Sequence, residues 1–314
     1  MGLFPKALDE YVALAGIPRG PLSKIFIVDP ANGSDSNPGL TFQKPLKSLA
    51  AAYAKCTTNQ NDVVLMIPGP TGDNPTAAIT WSKSYTHLIG LSGNLPGMGQ
   101  RCRIVNHADN DLAVLFTLSG SGCIIKNVQF FDGKDKNEDG ACVLVSGGRN
   151  YFENVFVAGM GHATPGGRAG SYSLKVSGEE NTFKNCTIGL DTIVRAAANA
   201  ELIVAGARNR FIGCDIRSNS VTAGKFLVKV DNTGGDLRDS IFENCLFFNY
   251  TTNWANGITD AFSMPAGGST HFVILKGDCQ LVGVNSGWAD NLTHIYVSGP
   301  QPHAGFGVST NPSG

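Results

Sequence analysis

The chain has almost no charge imbalance. Its 24 basic residues face 25 acidic ones, and only 16% of its 314 residues are charged. With no basic stripe to neutralise phosphates, nucleic acid is not an expected partner. Long apolar runs are missing as well. Stretches such as Leu112-Ala113-Val114-Leu115-Phe116 fall far short of the ~20 residues a membrane-crossing helix needs, so no membrane association is expected. Asp9 and Glu10 interrupt the first twenty residues where a secretory signal needs an apolar run, and Lys6 breaks the myristoylation pattern after Gly2. Paired Cys-x-x-Cys spacings are absent, which removes the usual metal cluster; neither a metal nor any other cofactor is expected.

What is present is a repeat. Leu118-Ser119-Gly120, Val145-Ser146-Gly147, Val176-Ser177-Gly178 and Val204-Ala205-Gly206 each precede an apolar anchor by one offset: Ile125, Phe152, Phe183 and Phe211. A second signature follows each anchor, and a fifth copy, Phe242-Glu243-Asn244-Cys245, carries that signature alone. The anchors recur every 27 to 31 residues. Self-similarity at that period means stacked units, none of which can bury its apolar face alone.

The columns say what the units are. Two places after the anchor stand Asn127, Asn154, Asn185, Gly213 and Asn244. Asn and Gly enter the left-handed backbone region more cheaply than other residues, so this column predicts a bend with positive φ on every unit. Next come Val128, Val155, Cys186, Cys214 and Cys245, read as inward, and two further on Phe130, Val157, Ile188, Ile216 and Phe247. Segments this short and rich in β-branched and aromatic residues are strands. Charges test the stacking. One column reads Lys126, Glu153, Lys184, Ile212, Glu243, and another Arg149, Glu180, Arg208, Asp239. Both alternate in sign wherever they are charged, which suits equivalent residues one strand spacing apart, about 4.8 Å. The expected fold is all-β, a parallel β-helix. Horseshoe and helical repeats would need a denser Leu pattern or a 3.6 period. Stacked in one column, Cys186, Cys214 and Cys245 are poorly oriented for bridging and read as reduced core fillers.

Along the chain, residues 1–22 read as an N-terminal arm in which Phe4, Leu8, Tyr11 and Val12 make one apolar stripe, a candidate seat for a partner. Residues 23–298 hold the solenoid with its N-terminal cap: strand Ile25–Val28, a turn-rich stretch, a helix over Pro45–Lys55, then strand Val63–Ile67. Residues 299–314, rich in Pro, Gly, Ser and Asn, read as an extended C-terminal tail.

The cap segment, with Gly33-Ser34-Asp35-Ser36-Asn37-Pro38-Gly39, Pro45-Leu46-Lys47-Ser48-Leu49 and Asp62-Val63-Val64-Leu65, resembles the N-terminal cap of pectate-lyase-like right-handed β-helices. Thr86-His87-Leu88-Ile89-Gly90-Leu91 and the run from Gly170 to Thr192 resemble right-handed β-helix virion proteins of tailed bacteriophages. The resemblance covers most of residues 23–298. It implies a capping helix, a structural role in the virion after manufacture in the host cytoplasm, homotrimeric association and, as the specific expectation, a head decoration or cement protein. Its partners would be the phage major capsid protein or other virion proteins. The rival readings are a tailspike-like polysaccharide depolymerase and a non-enzymatic tail or fibre component.

No catalytic residue stands out. A glycosidase needs two carboxylates facing one groove, and the repeat columns alternate acid with base instead. Asn-Thr-Asp, Asp-Asp and Gly-His-Gly are absent. His162, Asp215 and Asp231 read as isolated polar residues, and Asp109 with Asp111 lacks a neighbouring base. Asp135 to Gly140 matches half of an EF-hand loop, but its twelfth position is Ser146 rather than Glu, so no calcium site is expected. Phe156, Leu246 and Phe248 fall in or beside outward columns, which marks a candidate subunit contact.

Overall fold

Each repeat folds into one coil of three short strands, and every strand pairs in parallel with its equivalents on the neighbouring coils. The computed structural model describes residues 16–92, 102–106, 112–135, 139–196, 200–220, 224–231, 238–250, 257–265 and 271–298. One coil shows the path. Ala141–Val145 lies in the third sheet, Tyr151–Glu153 in the first and Phe156–Met160 in the second, before Tyr172–Val176 returns to the third. The first sheet has ten strands and the other two have eight each. The result is an all-β, right-handed parallel β-helix of about seven turns.

The anchors form the spine of the core. Phe152, Phe183, Phe211 and Phe242 stack in the first sheet with centroids 4.5, 4.9 and 4.6 Å apart and planes within 13° of parallel. The stacking distance is the strand spacing itself, so backbone pairing and ring contact are satisfied together. Beside them Cys186, Cys214, Cys245 and Cys279 fill one buried column. The thiols of the last three donate to the carbonyls of Phe183, Phe211 and Phe242, one coil back, at 3.3–3.4 Å. Burial, and contact with the Cys186 thiol, raise the Cys214 thiol well above its ordinary value, and the Cys214 contact together with burial raises Cys245. These thiols stay protonated and unreactive while the coil is closed.

The expected bend is there. Asn127, Asn154, Asn185, Gly213 and Asn244 have φ between 52° and 60°. Asn154 Nδ2 donates to Asn127 Oδ1 at 2.8 Å. At Gly213 a Cβ would lie 2.7 Å from Asn185 Oδ1, the movable end of a side chain, and Gly277, with φ 70°, continues the column after Asn244. The glycines of the first signature have a different cause. A Cβ on Gly147, Gly178 or Gly206 would fall 1.9–2.1 Å from the carbonyl oxygen of the equivalent glycine one coil back.

The capping helix α1, Leu49–Lys55, starts later than the expected Pro45. Leu46 stays extended and bridges to Val28, and the Ser48 side chain caps the helix by accepting from Ala51 N–H. Leu49 and Ala52 plug the end of the core, and Tyr53 stacks on the fully buried Trp81 at 4.3 Å. At the other end of α1, the Lys83 ammonium donates to the carbonyls of Tyr53, Ala54 and Cys56 at 2.6–3.0 Å. It satisfies groups that a helix C-terminus leaves open.

Replacing Asn185 with Val forces a β-branched residue to a φ of 52° and should lower unfolding free energy by about 1–2 kcal/mol. Asn185→Gly should lose less. The check is the denaturant midpoint of the two variants; equal losses would remove the backbone explanation.

Candidate functional site

Within the two charged columns, five acid–base pairs form between coils, and Asp239 is outside them. Glu153 lies between Lys126 at 2.7 Å and Lys184 at 3.9 Å, and Lys276 continues the column by meeting Glu243 at 3.2 Å. Burial pulls the Glu153 carboxyl up, but the Lys126 hydrogen bond and the two ammonium charges outweigh it and hold the group below its ordinary value. In the second column Glu180 lies between Arg149 at 2.6 Å and Arg208 at 2.9 Å, and Arg208 also meets Glu179. Arg149, Glu180 and Arg208 themselves have φ near 58°. Charged residues thus occupy a second left-handed column that their residue type does not advertise.

A groove of about 620 Å³ runs along the asparagine bend, lined by Asn127, Asn154, Asn185, Glu153, Thr187 and Asp215 among others. Its two carboxylates are answered: Glu153 as above, and Asp215 by Arg217, which also reaches Asp191 at 3.2 Å. Asp231 meets Lys175 at 3.7 Å. His162 caps the short helix α2, Ala163–Gly166, by accepting from Thr164 N–H, and lies 3.3 Å from Asp135. Asp215, Asp231 and His162 thus each meet a partner side chain or backbone group. Phe156 does pair in the outward column with Gln129 and Thr187, but it is buried, so it offers no free contact surface. Leu246 and Phe248 are half-buried. Phe4, Leu8, Tyr11, Val12, Asp109 and Asp111 lie outside the described residues.

Three polar features went unread in the sequence. The first is a buried amide ladder two places before the anchors. Asn150 Oδ1 accepts from Cys123 N–H, Asn181 Oδ1 from Asn150 N–H and Asn209 Oδ1 from Asn181 N–H, all at 2.8–2.9 Å. Their column was visible in the repeat, but its inward direction was not. The second is a buried ion pair within one coil. Arg195 and Glu201, 2% and 1% exposed, pair at 2.6 Å, with Ser173 and Ser218 completing the hydrogen bonds to Glu201. No repeat column contains both, so no sequence signal links them.

The third is a groove of about 870 Å³ between α1 and the segment Thr71–Thr80. Asp35 and Asp73 both line it. Successive amides fix them side by side: Lys47 and Ser48 N–H donate to Asp35 at 2.9 Å, and Leu49 N–H to Asp73 at 3.3 Å. Burial pulls Asp35 up, but the Ser48 and Lys47 hydrogen bonds outweigh it and hold the group below its ordinary value. Burial pushes Asp73 up to about 6, against the Leu49 hydrogen bond and helped by the Asp35 charge. Asp73 is 4% exposed and its Oδ2 has no hydrogen-bond partner. A carboxylate beside a carboxyl titrating near neutrality is the chemistry of an acid–base pair. Here both groups also clasp the start of the capping helix.

No protein-family model and no curated protein matches the chain. Among solved structures it is similar to a rhamnogalacturonan lyase, with TM-score 0.56 and 16% identity over 88% of this chain and 73% of that one. It is similar to pectin methylesterase PemA from Erwinia chrysanthemi, with TM-score 0.53 and 16% identity over 87% and 80%. Geobacillus virus E2 ORF18 matches with TM-score 0.49 and 14% identity over 90% of this chain and 53% of that one. Such identities show the fold alone, a pectate-lyase-like right-handed parallel β-helix.

The folded-state value of Asp73 lies above the ordinary 3.8. Its contribution to stability is therefore complete below pH 3.8 and lost as the pH rises through 6. Asp73→Asn should stabilise the protein at pH 8 by up to about 3 kcal/mol and leave it nearly unchanged at pH 4. Thermal unfolding at the two pH values checks this; a destabilised variant at pH 8 would contradict the burial argument.

Proposed function

We propose that this chain is a non-enzymatic structural protein of a tailed-phage virion, and specifically a head decoration protein. It would act as a homotrimer, assemble in the host cytoplasm and bind the major capsid protein. The observation that carries the non-enzymatic part is the pairing of the coil's outward acids: Glu153, Glu180, Glu243, Asp215 and Asp231 each meet a cation. A coil that cleaves sugar needs two such acids in different protonation states facing one groove. Columns that neutralise themselves at every coil build a stiff rod instead. The phage setting rests on the resemblance of Thr86–Leu91 and of the Gly170–Thr192 run to β-helix virion proteins.

One observation favours a second reading, a polysaccharide-processing enzyme. Asp73 and Asp35 differ in protonation behaviour within one groove, and the lyase and esterase similar to this chain share its fold. The clasp on α1 weighs against it, because it engages Asp35 and one oxygen of Asp73.

Gold-labelled antibody against the protein should decorate the heads of purified virions at many copies per particle. Incubation of the protein with host polysaccharide should release no new reducing ends or unsaturated sugars. Label confined to the tail overturns the decoration role, and sugar cleavage abolished by Asp73→Asn establishes the second reading.

A further inference from the structure

The outer face of the first sheet changes character on its last four strands, Asn209–Ile212, Asp239–Glu243, Phe272–Lys276 and Ile295–Ser298. Their middle outward column runs Arg210, Ile241, Ile274, Tyr296, each paired with the next. To one side of it Glu243 pairs with Lys276, and to the other Asp239 pairs with Phe272. Ile241 and Ile274 are half-buried and Arg210 is exposed. Phe272 and Tyr296 are 36% and 51% exposed, with their rings 5.7 Å apart. Exposed aromatic rings and an arginine around aliphatic side chains are the composition of a protein contact surface.

The pattern of this face is complementary to itself. A two-fold axis along the strand direction, midway between Ile241 and Ile274, lays a second copy face to face with the solenoids antiparallel. Each outward column then meets itself in reverse order. Ile241 meets Ile274 of the second copy, apolar on apolar. Arg210 meets Tyr296 of the second copy, a cation over a ring. Glu243 meets Lys276 of the second copy, so the attraction that joins them within one chain at 3.2 Å is repeated between chains. The other face-to-face arrangement, with the axis along the solenoid, sets Glu243 against Asp239 and is repelled.

We infer that this face joins two copies of the chain about the axis along the strands. Three columns two residues apart, on four strands about 4.8 Å apart, cover roughly 400 Å² of each copy. A stable pair buries about 800 Å² on each side. The contact is therefore weak and forms where copies are concentrated. A two-fold contact cannot close a trimer, so it links chains of different trimers. It stands independently of the virion role.

The test uses the whole chain. Its sedimentation coefficient should rise between micromolar and millimolar concentration. Ile274→Glu should abolish the rise and leave the circular dichroism spectrum unchanged. Arg210→Ala should weaken association about threefold, and Arg210→Lys should retain it. The eight native thiols are buried, so an introduced thiol on this face reacts alone. Under mild oxidation, a mixture of Ile241→Cys and Ile274→Cys chains should cross-link faster than either variant by itself. A sedimentation coefficient constant up to millimolar concentration overturns the proposal, and so does faster cross-linking of Ile241→Cys with itself. Association seen only in a chain shortened after Ser298 makes the face the seat of the chain's own tail and overturns it as well.

Discussion

Parallel in-register stacking is the constraint on which the rest depends. Each residue rests on its equivalent one coil back, at the spacing of paired strands. A residue's chief neighbour is therefore its own counterpart, and a column survives only if its members tolerate one another at that distance. Phenylalanine does, because the spacing matches ring stacking. Asparagine does, because one amide can accept from the preceding coil's N–H while its own Nδ2 donates to a carbonyl, as Asn150 and Asn209 do. Charges do so only by alternating. Without these matches, a buried amide would be an unsatisfied polar group costing about 1–3 kcal/mol.

This explains which features were legible in the sequence. The anchor stack, the positive-φ bend and the alternating charges are column properties, and a column can be read by aligning repeats. The inward face of Asn150, Asn181 and Asn209 was not legible, because an asparagine column two places after the anchor marks an outward bend, and residue type alone does not separate the two. Arg149, Glu180 and Arg208 hide their left-handed backbone for a related reason: their side chains serve the ion ladder while glycine would serve the backbone. Asp73 and the Arg195–Glu201 pair lie where the chain leaves its repeat, so nothing periodic announces them.

The departures from the repeat are also where electrostatic energy is stored. Along the coil Glu153, Glu180 and Glu243 each meet a cation from a neighbouring coil. At the cap two carboxylates converge on the amides that open α1, and burial overrides the hydrogen bond to keep Asp73 near half-protonated at about pH 6. His87, a few strands away, is pushed the other way. Its burial, with Arg19 nearby, lowers it to about 4, so its contribution to stability is complete above pH 6.5 and lost as the pH falls through 4. In the folded protein its ring is held neutral, with Nδ1 accepting from Ile124 N–H and Nε2 donating to Asn61 Oδ1. The cap thus carries two opposed pH responses over the same range, while the coil's outward charges are paired within their own columns.

A solenoid that satisfies itself in this way leaves little on its coil for a ligand to recognise. Its outward columns present neutralised pairs, and its inward columns are closed. The column rule lapses in three places among the described residues: the cap groove, the apolar start of the first sheet, and the last coils. At the last coils the ion ladder gives way to Phe272 and Tyr296, which are exposed and lie 5.7 Å apart. The same rule that made the fold readable from sequence therefore lapses at the two ends of the described coil, where the cap groove and the exposed rings of Phe272 and Tyr296 stand outside the paired columns.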